Sequence, residues 1–215
     1  MKNIVAINGS PRKDWNTAKL VKEAAAAAQA KGAQVELVHL YDLNYKGCVS
    51  CFACKIKGGP SYGRCAVKDG LTPTLDKVYN ADGLIIGSPF YLGTETGETH
   101  SFLERLMFSC LRYSDPPETL FPKKIRCGYV FTFGANEDMV MQRGWDKHLA
   151  STMSFTGRIL GEVRAVCSYD TYQFDDYSKY DAPRFDVKQK EKVRQEQFPR
   201  DLHQASQLGA WVASA

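Results

Sequence analysis

Two glycine-rich loops that bind nucleotides at parallel sheets are both missing from this sequence. The chain contains no G-x-x-x-x-G-K-[ST] run, which argues against a Walker-type phosphate loop. Gly9 is the only glycine between Met1 and Lys31, so the G-x-G-x-x-G fingerprint of a dinucleotide site is also missing. No apolar run approaches the length of a membrane span. Since Met1-Lys2-Asn3 runs directly into an apolar strand pattern, we expect no signal peptide, no membrane partner and a cytoplasmic protein.

Composition narrows the choice of partners and of chemistry. The chain has 215 residues and a net charge of +4, and its basic residues are scattered, so we expect no nucleic-acid partner. Residues 1–215 are predicted to form a single domain, with a cysteine-rich loop over residues 41–69 and a C-terminal extension over residues 169–215. Seven cysteines in a chain expected to be cytoplasmic favour metal or redox chemistry over disulfides.

The first strand-like run ends in a loop with many hydrogen-bond donors. Asn3–Asn8 is an apolar run typical of a buried strand, Gly9-Ser10-Pro11 interrupts it, and a helix is predicted to follow. Such a loop directs backbone N–H groups and the positive end of a helix dipole at a bound anion. Four side chains add donors that suit a phosphate: Ser10, Arg12, Asn16 and Thr17. The alternative left open is a ligand-free helix N-terminus capped by Asp14, Asn16 or Thr17.

Strand-like and helix-like segments alternate along the rest of the chain. Strands are predicted at Asn3–Asn8, Gln34–Leu40, Gly83–Ser88, Ile125–Phe133 and Arg158–Ser168. Helices are predicted at Thr17–Lys31, Leu71–Asn80, Glu98–Arg112, Met139–Phe155 and Val187–Ala213, the last with a break near Pro199. This alternation predicts an α/β flavodoxin-like three-layer sandwich, with a five-stranded parallel sheet of order 2-1-3-4-5 and helices on both faces. Such a sheet binds its ligand, a flavin in flavodoxin, where strands 1 and 3 diverge, which selects the loops after Asn8, Ser88 and Phe133.

The loops after the third and fourth strands carry residues suited to a flat ring. The third holds an aromatic pair, Phe90 and Tyr91, beside Gly93, which lets the backbone approach a ring. For Phe90, core packing and ligand contact stay equally open, whereas Tyr91 is expected at the ligand because its hydroxyl needs a partner. After the fourth strand, Thr132 and Gly134 are candidates for hydrogen bonds to a ring edge.

Several short stretches form one pattern: Gly9–Arg12 followed by Asn16-Thr17, Ala81–Gly83, Ser88–Tyr91 and Phe102–Arg105. Together they resemble the NADPH-dependent FMN reductase branch of the flavodoxin-like superfamily, well over residues 1–133 and weakly beyond. The resemblance implies bound FMN, with its phosphate on Ser10, Arg12, Asn16 and Thr17. It also implies that the isoalloxazine ring lies against Pro89, Phe90, Tyr91, Leu92, Gly93 and Thr94. Trp15 replaces a family glycine and either turns outward or shields the ring, and His100 replaces a family lysine.

The segment Tyr41–Asp69 holds most of the cysteines. Cys48, Cys51 and Cys54 form a C-x-x-C-x-x-C run, and Cys65 follows after ten intervening residues. The spacing resembles that of bacterial ferredoxins, and the loop resembles that of the iron–sulfur flavoproteins within the FMN reductase branch. The hypothesis is that these four cysteines bind a [4Fe–4S] cluster. A four-cysteine zinc site and metal-free or redox-active thiols stay open, while Cys110, Cys127 and Cys167 are expected in the core.

Polar residues outside these motifs are expected to play no part in catalysis. The four histidines show no metal-ligand spacing and are expected to be structural or solvated: His39, His100, His148 and His203. Glu98, Glu104 and Arg105 are expected on a solvated or capping helix face. Tyr169–Pro183 is long enough for a lid or an interface segment, and its part Asp170–Asp181 is expected to pack on a neighbouring subunit.

These features together predict an FMN-dependent oxidoreductase. NAD(P)H or a ferredoxin is the expected electron donor, and a flavin, a quinone or another small molecule is the expected acceptor. No protein acid or base is required for this chemistry, so no catalytic residue is assigned. The alternatives are a non-catalytic electron carrier with FMN and cluster, and a zinc-stapled binding module without flavin. The resemblance also implies a homodimer or homotetramer.

Overall fold

The computed structural model describes residues 1–214. In this range the strands are β1 (Asn3–Asn8), β2 (Gln34–His39), β3 (Gly83–Tyr91), β4 (Thr94–Glu95), β5 (Arg126–Thr132) and β6 (Val163–Ser168). The helices are α1 (Asn16–Ala30), α2 (Thr72–Asn80), α3 (Gly97–Cys110), α4 (Glu137–Gln142), α5 (Trp145–Leu160), α6 (Val187–Lys192) and α7 (Phe198–Ala213), with a π-helical turn (Val193–Gln197) between the last two. Most predicted boundaries agree with these to within about two residues, the usual uncertainty of an element end.

Five strands form one parallel sheet in the order β2-β1-β3-β5-β6. Counted along the parallel strands alone, this is the flavodoxin-like order 2-1-3-4-5, so the predicted architecture is confirmed. The predicted total of five strands is wrong, because β4 pairs antiparallel with the end of β3. Leu92 and Gly93 turn the chain between them with φ values of 53° and 93°. A tight hairpin favours two residues of positive φ at its turn. The dipeptide Leu-Gly predicts such a turn less clearly than Asn-Gly does.

β3 continues through Pro89 to Tyr91 and does not end at Ser88. Pro89 stays in register with Thr132 of β5, because the fixed φ of proline is compatible with extended backbone and only one ladder donor is lost. The strand therefore carries Phe90 and Tyr91 past the carboxyl end of β5. This extension places the β3–β4 hairpin above the edge where the ligand loops lie.

Side chains alternate across the sheet and build one apolar core on each face. In β1, Ile4 and Ala6 pack on the side of α1 and α7, while Val5 and Ile7 pack on the side of α2, α3 and α5. This alternation produces the three-layer sandwich. Within residues 1–214, no helix combines the length and the apolar character needed to cross a bilayer.

The region between β5 and β6 departs from the predicted boundaries. The helix predicted at Met139–Phe155 is two helices, α4 and α5, because Gly144 adopts a left-handed φ of 67° between them. α5 then continues to bury Ile159 and Leu160 in the core. The strand predicted to start at Arg158 therefore begins only at the first residue of β6.

The C-terminal helical segment is interrupted close to the predicted position. The break expected near Pro199 takes the form of the π-helical turn that precedes α7. Pro199 itself lies in the first turn of α7, directly after this π-helical turn.

Candidate functional site

The loop after β1 is tight enough that only glycine fits at its first position. Asn8, buried at the strand end, accepts a hydrogen bond on Oδ1 from Ser10 N at 3.1 Å. A Cβ on Gly9 would lie 1.9 Å from Thr99 Oγ1, so a larger residue would collide with α3. Thr96 Oγ1 donates to Gly9 O at 2.7 Å. The start of α3 therefore fixes the loop from one side.

Helix α1 begins beside this loop. The capping alternative is contradicted, because Trp15 occupies the N-cap position and Asp14 pairs with Lys22 instead. Thr17 Oγ1 lies 2.7 Å from Thr132 Oγ1, which ties the helix start to the end of β5. Ser10, Asn16 and Thr17 are all buried. The first turn of α1 directs its backbone N–H groups to the same place, as helix N-termini that bind anions do.

The segment Tyr169–Phe185, here called the strap, crosses this loop. Arg12 Nη1 donates to Gln173 O at 2.7 Å, and Asn16 Nδ2 donates to Tyr172 O at 2.6 Å. Trp15 Nε1 donates to the same Tyr172 O at 2.9 Å, while the Arg12 guanidinium lies 4.0 Å from the centre of the Trp15 ring. The indole is therefore turned to the strap. Tyr172 and Gln173 thus pack on their own chain, while the packing of Asp170–Asp181 on a neighbouring subunit stays a prediction.

The loop, the ends of β3 and β5, and the strap enclose a cleft of about 230 Å³. Its lining includes most of the predicted binding residues: Ser10, Arg12, Asn16, Thr17, Pro89, Phe90, Tyr91, Thr132 and Gly134. Leu92, Gly93 and Thr94 lie outside the cleft, in and beside the hairpin turn, and Leu92 is fully exposed. The structure thus brings the four predicted phosphate-binding residues together and sets the three hairpin residues apart.

Phe90 and Tyr91 have different roles at the end of β3. Phe90 is only 8% exposed and packs on Phe133 with 4.8 Å between ring centroids, while it also lines the cleft. Core packing and cleft contact are therefore combined in one side chain. Tyr91 is 44% exposed, so its ring is the one available at the mouth of the cleft.

The four cysteines of the loop over residues 41–69 line one small hollow of about 20 Å³. Cys48 and Cys51 are exposed, Cys54 is buried and Cys65 is half-buried. Within residues 1–214, no three His, Cys, Asp or Glu side chains are arranged to hold a metal ion. The donor chemistry suits an iron–sulfur or zinc site, but the hollow has room for about one water. A cluster there requires the exposed thiols to move outward.

Arg105 holds the end of the cysteine loop near Cys65. It was expected on a solvated or capping helix face, but it is buried. Its guanidinium is completely buried, and Nε donates to Cys65 Sγ at 3.1 Å. Nη1 donates to Asp69 Oδ2 at 2.6 Å, and Nη2 donates to Val67 O at 3.0 Å. On the same helix, Glu104 accepts from Cys48 N at 3.2 Å through Oε2. α3 therefore positions both ends of the cysteine loop.

The sequence that builds this site matches a known protein family. The model of the family described as NADPH-dependent FMN reductase matches residues 2–156. The chain belongs to this family. The matched range contains every predicted binding residue of this FMN reductase family member, whereas the strap and α7 lie beyond it.

Curated relatives of this family member carry a more specific description. An iron–sulfur flavoprotein of Methanocaldococcus jannaschii is 34% identical over 102 residues, which is 47% of this chain and 50% of that protein. An iron–sulfur flavoprotein of Archaeoglobus fulgidus is 37% identical over 102 residues, which is 47% of each chain. The chain spans about half the length of the curated relatives it matches.

Solved structures match over almost the whole chain. The NAD(P)H:quinone oxidoreductase from Methanothermobacter marburgensis aligns with a TM-score of 0.71 at 13% identity, over 97% of this chain and 98% of that one. An azoreductase from Bacillus anthracis str. Sterne aligns with a TM-score of 0.68 at 14% identity, over 98% and 99%. At these identities the alignments show a common fold, which extends to the C-terminal helices.

A second hollow of about 490 Å³ lies between α3 and α5 of this FMN reductase family member. Glu95 is buried at its edge and accepts hydrogen bonds from His100 Nδ1 at 2.8 Å and from His148 Nε2 at 2.6 Å. Burial opposes ionisation, but the hydrogen bonds from His148 and His100 hold the pKa of Glu95 below its usual value. Both histidines therefore hold the Glu95 carboxylate in place.

Some residues around the cleft are not found by motif analysis. Thr96 accepts a hydrogen bond from Thr99 N and caps α3, and the threonine just before an apolar helical pattern is a signal for that role. Tyr172 and Gln173 act through backbone carbonyls, so their residue types do not predict this role. Lys190 has the spacing of a solvated lysine in α6, yet it is buried.

Proposed function

We propose that this chain is an FMN-dependent oxidoreductase that passes electrons from NAD(P)H to a small acceptor such as free flavin, a quinone or an azo compound. The observation that carries the proposal is the cleft. Three loops at the carboxyl edge of the sheet converge there with buried donors, inside the range matched by the FMN reductase family. The printed descriptions of the quinone oxidoreductase and the azoreductase support the choice of acceptors.

The phosphate of FMN is assigned to the loop after β1. Ser10, Asn16 and Thr17 offer buried hydroxyl and amide groups, and Arg12 offers a guanidinium that suits a dianion. The first turn of α1 adds backbone N–H groups and the positive end of its dipole. The donor set therefore fits a phosphate monoester.

The isoalloxazine ring is assigned to the β3–β4 hairpin. Pro89, Phe90 and Tyr91 line the cleft from β3, while Leu92, Gly93 and Thr94 offer the exposed side of the turn. Thr132 and Gly134 face the same space from the end of β5. FMN supplies hydride and single-electron transfer when bound, and the chain binds and orients it.

Reconstitution with FMN tests this proposal directly. We expect apo-protein to take up FMN, and the bound flavin to be bleached by NADPH or NADH without oxygen and to be reoxidised by a quinone. Thr17→Val should weaken FMN binding by about tenfold, the equivalent of one charge-assisted hydrogen bond. Thr119→Val, outside the cleft, is the control. Protein that takes up FMN but never oxidises NAD(P)H would favour the carrier alternative.

A second candidate function is electron transfer through an iron–sulfur cluster. Cys48, Cys51, Cys54 and Cys65 share one hollow, and the curated relatives are described as iron–sulfur flavoproteins. These thiols are the proposed ligands of a [4Fe–4S] cluster, and a ferredoxin is then the proposed donor beside NAD(P)H. The cluster would let the protein work as an iron–sulfur flavoprotein or as a non-catalytic carrier.

Iron and acid-labile sulfide analysis after anaerobic reconstitution separates the cysteine alternatives. The cluster proposal expects iron and sulfide in equal amounts, with both lost in Cys51→Ser and retained in the control Cys167→Ser. Zinc without sulfide would support the zinc-stapled module. Absence of both iron and zinc would support metal-free thiols.

The organisation of the chain remains part of the proposal. We propose one flavodoxin-like domain over residues 1–215 that assembles as a homodimer or homotetramer in the cytoplasm. Light scattering coupled to size-exclusion chromatography measures the assembly, and a monomeric mass would contradict it.

A further inference from the structure

The strap occupies two of the four side chains that the proposed phosphate site offers, Arg12 and Asn16. Tyr172 O and Gln173 O accept from Asn16, Trp15 and Arg12 over distances of 2.6 to 2.9 Å. Ser10 Oγ accepts from Arg12 N at 3.1 Å, and Thr17 is engaged with Thr132. All four proposed phosphate side chains are therefore hydrogen-bonded within the protein.

The cleft beneath the strap is too small for a whole cofactor. Its volume is about 230 Å³, whereas pockets for ligands of drug size measure about 300–1,000 Å³. The wall that can yield is the strap, because the other walls are strand ends, the start of α1 and the loop after β1, which Thr96 holds at Gly9 O. Binding of a phosphate by Arg12 and Asn16 therefore requires the strap to move, because its carbonyls occupy both side chains.

The root of the strap is bonded to the chain after β5 through Asp170 and Thr171, and one buried cation ties it to α6. Lys190 Nζ, with its side chain only 1% exposed, donates to Asp170 Oδ1 at 2.7 Å, Gly134 O at 2.9 Å and Thr171 O at 3.2 Å. These three partners use all three N–H groups of the ammonium. Asp170 is held at a φ of 51°, a conformation that a residue other than glycine rarely adopts. Lys190 thus joins α6, the strap and the loop after β5.

The tip of the strap is held more weakly than its root. Three hydrogen bonds to the carbonyls of Tyr172 and Gln173 join the tip to the loop after β1 and the start of α1. Two of the donors, Arg12 and Asn16, belong to the proposed phosphate site. Within the strap, Phe174 stacks on Tyr180 with 3.9 Å between ring centroids, so the tip is packed against the rest of the strap. Asp175 next to it is exposed.

We propose that the strap is a gate over the phosphate cleft, which swings open at Tyr172–Phe174 to admit a ribityl phosphate such as FMN, and that Lys190 is the positioning residue that holds its root. This inference rests on the proposed FMN site. The gate and the phosphate compete for Arg12 and Asn16, so opening precedes binding. The rate of FMN uptake by apo-protein therefore reaches a plateau as the FMN concentration rises.

Trp15→Phe tests the tip, since it removes the Nε1 donor and keeps an aromatic ring beside Arg12. We expect the plateau rate of uptake to rise by about two- to tenfold, the effect of one hydrogen bond on an opening equilibrium. Amide hydrogen exchange at Tyr172–Phe174 should rise by a similar factor in the protein without FMN. Trp211→Phe, on the far helix α7, is the control for the loss of an indole.

Lys190→Met tests the root. The loosened strap should release bound FMN at least tenfold faster, while Lys188→Met, exposed on the same helix, leaves the release rate unchanged. Asp170→Asn removes the charged partner alone and serves where Lys190→Met does not fold; we expect faster release from it than from Asp175→Asn.

Stopped-flow quenching of FMN fluorescence tests the gate and the FMN site separately. Quenching with a plateau that rises in Trp15→Phe supports the gate. Quenching whose rate stays proportional to FMN concentration, and is equal in wild type and Trp15→Phe, overturns the gate and leaves the FMN site standing. Absence of quenching by the wild-type protein overturns both.

Discussion

Glu95 is a buried carboxylate whose charge depends on two histidines. Desolvation raises its pKa, but hydrogen bonds from His148 and His100 outweigh it, so the pKa lies below the ordinary 4.5. The folded protein then binds this proton less readily than the unfolded chain does. Glu95 therefore adds stability above pH 4.5, and this stability is lost as the pH falls through the lower folded-state value.

Glu95→Gln keeps the shape of the side chain and removes its charge. We expect a loss of about 1.5–3 kcal/mol in the free energy of unfolding at neutral pH, because hydrogen bonds to a charged group are weakened. The acid side of the stability profile should also become flatter. Urea unfolding across a pH series measures both. Glu36→Gln is the control, since Glu36 and Lys77 form an exposed pair worth about 0–1 kcal/mol. A variant with the wild-type acid slope would show that Glu95 does not titrate as argued.

Arg105 holds the cysteine loop through a geometry that lysine cannot copy. Its guanidinium serves Asp69, Cys65 and Val67 at once, from inside the protein. Arg105→Lys keeps the charge but gives up the planar fork, so we expect at least one charged hydrogen bond, about 1.5–3 kcal/mol, to be lost. Cys65 should then react faster with iodoacetamide, as followed by peptide mass spectrometry.

The matched control for this change is Arg112→Lys, just beyond the end of α3. Arg112 is half exposed and pairs with Glu118, so its replacement should change neither stability nor Cys65 labelling. Equal labelling of Cys65 in both variants would mean that Arg105 does not order the loop.

At the scale of the element, the break between α4 and α5 depends on a single glycine. Gly144 has a φ of 67°, while Gly157 lies inside α5, where an added Cβ would meet only Val163 Cγ2 at 3.7 Å. We expect Gly144→Ala to destabilise by about 1–2 kcal/mol, the cost of a left-handed residue with a Cβ. Gly157→Ala should stabilise by about 0.5–1 kcal/mol, because alanine loses less backbone entropy on folding. Thermal unfolding of the pair measures the contrast, and shifts of the same sign would contradict it.

The elements that sequence analysis predicts well are those with a local cause. β1, the loop at Gly9 and the start of α1 follow from an apolar run, a glycine and a helical period that are contiguous in the chain. The β3–β4 hairpin was missed because two paired residues in each strand are too short for a period. The extension of α5 was missed because Ile159 and Leu160 fit a strand pattern as well as a buried helix end.

In the molecule as a whole, the layered architecture can be predicted from the sequence, whereas the position of the strap over the cleft cannot. Alternation of strands and helices dictates a parallel sheet with helices on both faces, and hence which loops converge. Arg12 and Gln173, in contrast, lie 161 positions apart, and the contact uses a backbone carbonyl. Nothing in the type of either residue encodes it, so the strap could only be placed by the structure.

The packing of α7 against α1 also joins residues that lie far apart in the sequence. The alanines of α1 favour a helix, and they also let α7 approach closely. A Cβ on Gly209 would lie 1.8 Å from Ala24 O, so Gly209→Ala must push the two helices apart. We expect a loss of about 1–3 kcal/mol or more from overpacking, measured by urea unfolding. Gly97→Ala, where an added Cβ meets nothing within 4 Å, is the control. Because α7 and the strap are joined through α6 and Lys190, Gly209→Ala should also speed the release of FMN, whereas unchanged release would mean that the gate is independent of how α7 docks.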